Sequence, residues 1–411
     1  MAIEKKIDLD ELESGVSMPD GTEELEVEVT DDAELEAAEA MGLLEDEEVL
    51  EDEFTANLAE LMSDEDLELI SGELLEGFER DKESRHEYDN IAEEGVTLLG
   101  FQDEQGDEPF PGACSATHPV LAQAVVKFQA KTYKELFPTE GPVRTRIMGL
   151  DTMEKQEQAT RVRQFMNWQT QIQMPEYGPE LDRLLFYVSL YGTAFKKTYW
   201  DPTLQRARTE YIKASDFFID YYASDLETAE RFTHKYVLSK NEIRKLQIAG
   251  MFRDIDVMET EIDEDAATET ANEAVGRSRP GQIDDEVEIL EMHANIDLPG
   301  FENEDGLKLP YIVHMTKDQQ VLCITRNWDE EDILMKKKMY FTHYTMIPGL
   351  GFYGYGYLHL IGGLTKTATS SMRQLIDAGT FANLPGGFKA HGLRVLAPDE
   401  PIAPGEWREV N

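Results

Sequence analysis

The sequence predicts an α+β protein: a mixed helical and antiparallel-sheet domain, then one long helix, then a small β unit. Three observations predict it. Apolar residues recur every three or four positions between about Glu73 and Val188. Short strand-like runs replace that pattern from Gly192 to Met346, and a final helical stretch opens after Gly356 and stops at Pro385-Gly386-Gly387. With 411 residues the chain has room for two or three domains and a sizeable core.

The first segment, residues 1–72, is expected to be an acidic disordered tail. From Met1 to Glu79 there are 30 acidic residues against Lys5 and Lys6, a net of −28 out of −46 for the whole chain. Such a segment buries too little apolar surface to offset the entropy of ordering. Phe54, Leu58 and Leu61 are apolar points in it, suited to a transient helix or to folding on a partner.

Helices follow. The stripes Leu121, Val125, Phe128, Leu136; Val162, Phe165, Met166, Ile172; and Leu181, Leu184, Leu185, Val188 each predict a helix with one buried face. At Gly192 the period changes. GTAFKKTYW and QRARTEYI, joined by Asp201-Pro202-Thr203, predict a hairpin. Further strands are expected at Phe217, Arg231, Asp284, Tyr311, Gln320 and Met339. A short helix should start at Ser239, where Ser239 and Glu242 have capping-box spacing. Residues 254–280 are acidic and poor in apolar side chains, and are expected to form a flexible insertion in a domain spanning 73–348. Their carboxylates lack the spacing of a calcium loop.

Residues 349–384 combine a Gly/Tyr-rich turn with the long helix. Ile361, Leu364, Ala368, Met372, Leu375, Gly379 and Ala382 fall on one stripe, with small residues beside it that allow a close approach to copies of itself. Its charges are Lys366, Arg373 and Asp377; the last two, at i and i+4, are placed to pair, and Lys366 and Arg373 are equally candidates for a DNA backbone. Residues 385–411 hold two strand-like pieces.

Several chemistries find little support. Gly349-Leu-Gly351-Phe-Tyr-Gly354 matches the dinucleotide fingerprint, yet bulky aromatics crowd it and no second strand supplies the ribose-binding acid. A nucleotide-binding enzyme built on Gly349–Gly354 stays as an alternative, as does an acidic interaction protein; no cofactor or catalytic residue is assigned. There is no Walker lysine, zinc-binding His-Glu-x-x-His or nucleophile elbow. Cys114 and Cys323 suggest neither a disulfide framework nor a zinc site, which fits a reducing compartment. No signal peptide or membrane span is expected, because the N-terminus lacks an apolar core and no long apolar run occurs.

The string GFYGYGYLHLIGGLTKTATSSMRQLIDAGTFANLPGGFKAHGLRV, with PGEWREV after it, resembles the portal proteins of tailed double-stranded DNA bacteriophages, most closely those of short-tailed phages. HPVLAQAVVKFQAKTYKELFPTEGPVRTRI, LLFYVSLYGTAFKKTYWDP and EYIKASDFFIDYYASDLETAERFTHK are similar to the same family, so the resemblance runs from about Glu73 to Asn411. It implies a head-to-tail connector: a homo-oligomeric ring of typically about twelve subunits at one capsid vertex. Double-stranded DNA would pass through it without sequence preference. The terminase large subunit and the capsid, scaffolding and tail-adaptor proteins would dock on it, in the host cytoplasm during assembly and then in the virion. Residues 73–348 would be the wing, Gly356–Leu384 a stem helix and 385–411 the start of the clip. Lys366, Arg373 and Asp377 become candidate channel or inter-subunit residues, and Lys389, His391, Arg394 and Trp407 candidate terminase-facing ones. The family's returning stem helix and crown have no counterpart, so the chain is expected to be C-terminally incomplete.

Overall fold

The structure is a computed structural model describing residues 54–100, 110, 112–202, 204–258, 286–303, 306–383, 387–390 and 407–410. The chain divides into two units, Met1–Phe54 and Thr55–Asn411, and the described residues belong to the second, Phe54 apart. In chain order the described helices are α1 (Asp64–Ser84), α2 (His86–Leu98), α3 (Val120–Leu136), α4 (Met153–Trp168), α5 (Tyr177–Tyr191), α6 (Lys240–Ile248) and α7 (Tyr357–Asn383). The strands are β1 (Thr193–Asp201), β2 (Arg206–Ile212), β3 (Phe217–Ile219), β4 (Arg231–Ser239), β5 (Glu286–Ile296), β6 (Leu309–Thr316), β7 (Val321–Arg326), β8 (Phe341–Thr345), β9 (Gly387–Ala390) and β10 (Trp407–Val410).

The architecture is α+β, with two antiparallel sheets in the orders β2-β1-β8 and β3-β4-β5-β6-β7. The β1–β2 hairpin closes with Asp201 opposite Arg206, and the Asp201 carboxylate accepts a hydrogen bond from the Leu204 amide at 3.0 Å. β8, from the Met339 run, returns to β1 across a long stretch of sequence. β5 is buried over eight consecutive residues, as befits the middle of a sheet with packing on both faces. The core between the sheets is aromatic: Phe195 of β1 stacks on Phe217 at 4.0 Å, and Phe217, Phe232 and Phe341 continue the cluster. α6 begins with the expected capping box of Ser239 and Glu242. β9 and β10 pair in parallel.

Four expectations change. The described part of the segment expected to be disordered up to residue 72 is folded, with α1 starting at Asp64 and Ser63 as its N-cap, while residues 1–53 lie outside the described residues. Ahead of it, Leu58 and Ala59 are fully buried and the Asn57 amide docks on the edge strand β7. Asn57 Nδ2 donates to Leu322 O at 3.1 Å and its Oδ1 accepts from Ile324 N at 3.0 Å. A side chain thus supplies the hydrogen bonds that an exposed strand edge lacks. Part of the expected insertion is packed as well: Val257 is buried beside Phe252 and Val287, so 254–258 belongs to the packed fold, while residues 259–285 lie outside the described residues.

The third change is the α4 stripe. Val162, Phe165, Met166 and Ile172 were expected to be buried, but no residue of α4 is buried and Ile172 after it is 67% exposed. The fourth concerns α7. It buries Leu358, Gly362, Thr365 and Thr369, whereas Leu364 and Leu375 of the expected stripe face outward. Two contacts seat this face: α2 approaches closely at Gly95, where a Cβ would lie 2.5 Å from the Leu358 side chain, and Thr369 Oγ1 accepts from the His118 amide at 3.1 Å.

Candidate functional site

The root of α7 is where the sequence string of greatest interest meets the fold. α5 ends at Gly192, whose φ of +92° is left-handed and suits glycine. The Gly/Tyr-rich turn crosses at that corner, backbone on backbone. A Cβ on Gly192 would stand 2.3 Å from the Tyr355 carbonyl carbon, and one on Gly356 would stand 2.3 Å from Leu190 O. Thr193 Oγ1 accepts from the Gly354 amide at 2.7 Å, and Tyr355 N donates to Ile347 O at 2.8 Å.

This geometry removes the main support for the dinucleotide alternative. A Cβ on Gly351 would be 2.6 Å from Tyr221 O, and one on Gly354 would be 2.7 Å from Gly192 O. The glycines serve close approach to the chain's own backbone, where a nucleotide-binding loop would leave its amides open to pyrophosphate.

Between two of these glycines Tyr353 points into the core and meets Arg85, a residue that sequence periodicity did not single out. Arg85 is 1% exposed. Its Nη1 donates to Ala214 O and Phe217 O at 2.7 Å each and to Tyr353 Oη at 3.3 Å, and its other arm is ion-paired with Asp89. Tyr88 stacks on Tyr353 at 4.6 Å. Burial pushes both phenols above their ordinary range, so they stay neutral beside the cation. Arg85 thereby links α1 and α2, the start of β3 and the root of α7. A fully buried guanidinium is tolerable only because carbonyls and a carboxylate surround it.

The three predicted charges of α7 fasten it to neighbouring chain. Lys366 is ion-paired with Glu94 of α2. Arg373 donates to Ser115 O at 2.8 Å, Ala116 O at 2.9 Å and Thr117 Oγ1 at 3.2 Å, and Asp377 accepts from Cys114 N at 2.8 Å. Arg373 and Asp377, expected as an i,i+4 pair, grip one strap, residues 114–118, from successive turns. Of the expected clip residues, Lys389 lies in β9 and Trp407 in β10, with Glu409 opposite Lys389. His391 and Arg394 lie outside the described residues.

A second polar centre ties the two sheets. Glu291 of β5 accepts from Lys197 of β1 at 2.5 Å, from His234 at 3.1 Å and from His293 at 3.0 Å. Burial alone would raise its carboxyl; the Lys197 charge and the two imidazoles outweigh burial and hold it well below the carboxylate range. His293 is depressed by burial against the pull of Glu291, and Asn327 Nδ2 approaches its Nδ1 at 3.4 Å, as suits a neutral ring protonated at Nε2. Nearby, burial lowers His314 to about 4. Beside this network an open cleft of about 1090 Å³ is lined by Lys197, Tyr199, Arg208, Glu210, His234 and Lys235, with bases and acids interspersed. Among the described residues no cluster of histidine, cysteine and carboxylate side chains is arranged to hold a metal ion.

The third feature is the uncovered stretch around α4. Phe165 and Trp168 are 59% and 45% exposed, and Met148, Leu150 and Met153 are more exposed still. What holds α4 is its own flanking chain. Asn167 accepts from Val143 N at 2.8 Å and donates to Val143 O at 3.2 Å, and Thr145 Oγ1 donates to Ala159 O at 3.0 Å. The base of this excursion is aromatic, with Phe137 between Tyr133 and Tyr177 at 5.8 and 5.7 Å.

No protein family and no curated protein matches this chain. Among the described residues no helix is long and apolar enough to cross a membrane.

Proposed function

We propose that this chain is a ring-forming portal subunit of a tailed double-stranded DNA phage, a structural conduit for DNA packaging and ejection without catalysis of its own. The observation that carries the reading is α7. It runs for 27 residues, a length of roughly 40 Å, and is fixed firmly along one side. Its root is locked by the glycine crossing and by Arg85, and its side is fastened through Glu94 and the 114–118 strap. Its free side carries Leu360, Leu364, Thr367, Ser371 and Leu375, an uncharged face suited to a neighbouring helix.

That is the arrangement a stem helix needs: a rigid root, and a neutral flank for the next subunit around a ring. The acidic balance of the chain supports the same reading. Duplex DNA carries one negative charge per roughly 1.7 Å of axis, and a basic conduit would hold it by counterion release where an acidic one lets it slide. In this reading the wing is residues 73–348 and the clip begins at 385, with Lys389, His391, Arg394 and Trp407 toward the terminase. Capsid, scaffolding and tail-adaptor proteins dock elsewhere on the ring, at a single vertex of the virion.

Electron microscopy of the purified chain tests it. Rings with a central hole are expected; a chain that stays monomeric at high protein concentration overturns the proposal.

A further inference from the structure

We infer that residues 141–173, the excursion carrying α4, form an arm that seats on the acidic α1 face of a second copy of this chain. The inference rests on the ring reading and names the surface through which one subunit holds the next.

A helix of 16 residues with no buried residue has little to stabilise it, since isolated helices of this length are marginal in water. Yet the arm is built with care. Thr152 caps α4, and Asn167 staples it to Val143. The arm also displays Met148, Leu150, Phe165, Trp168 and Ile172 to solvent, more apolar surface than a solvated helix warrants. Such an element gains stability when something covers it.

Charge identifies the cover. Residues 141–173 hold five bases (Arg144, Arg146, Lys155, Arg161 and Arg163) against three acids, a net of +2 in a chain of −46. α1 is the opposite: residues 64–84 hold nine acids and two bases, a net of −7. Its outward face presents Glu65, Glu68, Glu73 and Glu76 around Leu69, with Leu61 just before it, both leucines well exposed. The basic apolar arm and the acidic leucine-bearing face are complementary, and they are different surfaces of one chain. That makes the contact head-to-tail, the kind that closes rings when the rotation allows. An arm of this length can supply the roughly 20 to 30 residues a side that a stable interface uses.

Assembly of the full chain, followed by mass photometry and electron microscopy, tests the inference through three variants. Phe165→Asp with Trp168→Asp should shift the assembly midpoint at least tenfold. So should Arg161→Glu with Arg163→Glu, and the loss should deepen as salt falls. Glu65→Lys with Glu68→Lys, added to the arginine reversal, should restore assembly. Thermal midpoints of the unassembled variants should match the parent, because these side chains are exposed. If the arm variants assemble like the parent, or the combined reversal restores nothing, the arm is not the contact and the ring reading survives alone. A parent chain that never assembles removes both.

Discussion

α4 and α5 are consecutive helices of nearly equal length, and both carry apolar residues at helical spacing, but one is covered and the other is not. α5 buries Leu181, Leu184, Leu185 and Val188 against Phe128, Tyr133 and Ala194, whereas α4 buries nothing. Periodicity reports that a helix has an apolar face. It says nothing about whether the covering surface belongs to the same chain. The difference teaches that an apolar stripe does not by itself decide burial: α5 is covered by its own chain and α4 stands open.

The largest effect expected from breaking this contrast is on stability. Leu184→Ala in α5 should lower the unfolding free energy by about 2–5 kcal/mol, because it opens a cavity in a packed site. Phe165→Ala in α4 should change it by about 0.5 kcal/mol or less in the unassembled chain. Denaturant titration of both variants decides; equal losses would mean that α4 is packed after all.

Acid should sharpen the contrast. Burial holds His314 and His343 at about 4, below the ordinary 6.5, so the unfolded chain takes up these protons first as pH falls. Stability present at neutral pH is therefore lost between about pH 6.5 and 4, by up to roughly 1.4 kcal/mol per pH unit for each imidazole. Glu291 adds to the loss lower down, since its depressed carboxyl is protonated only as the sheets open. Both imidazoles lie in the strands and neither in α4. Hydrogen exchange across this range should show strand amides losing protection while α4 amides keep their neutral-pH values after correction for intrinsic rate.

The most local expected effect is at the N-cap of α4. Thr152→Ala removes the side-chain acceptor for the Lys155 amide and should cost about 1 kcal/mol of local helix stability. Circular dichroism and amide exchange in residues 153–160 should register it, with the thermal midpoint of the core unchanged. A matching loss in the core would tie α4 to the rest of the fold.

Much of the local structure was legible in the residues. The β1–β2 hairpin, the run of strands from Phe217 to Met339, the Ser239 capping box and the final long helix all follow from spacing and turn chemistry. The candidate site was legible in part. Lys366, Arg373 and Asp377 could be read as the charges of α7, but their partners, Glu94 and the 114–118 strap, lie some 250 or more residues away in sequence and share no pattern with them. Arg85 and Asn57 left no periodic signal at all, because one is a cation at the junction of two charged helices and the other an amide in an acidic stretch.

What the sequence alone determined is everything decided within a few residues: helix and strand type, caps, the hairpin turn, the glycines that permit φ above zero or a close crossing, and the acidic charge. What only the tertiary structure decided is which apolar face is used. α7 presents two candidate faces, and the fold buried the one carrying Leu358, Gly362, Thr365 and Thr369, where Gly95 of α2 leaves room for Leu358 and the 114–118 strap bonds to Thr369. α4 presents one face, and the fold left it open. Burial is a relation between two surfaces, and a local pattern describes only one of them.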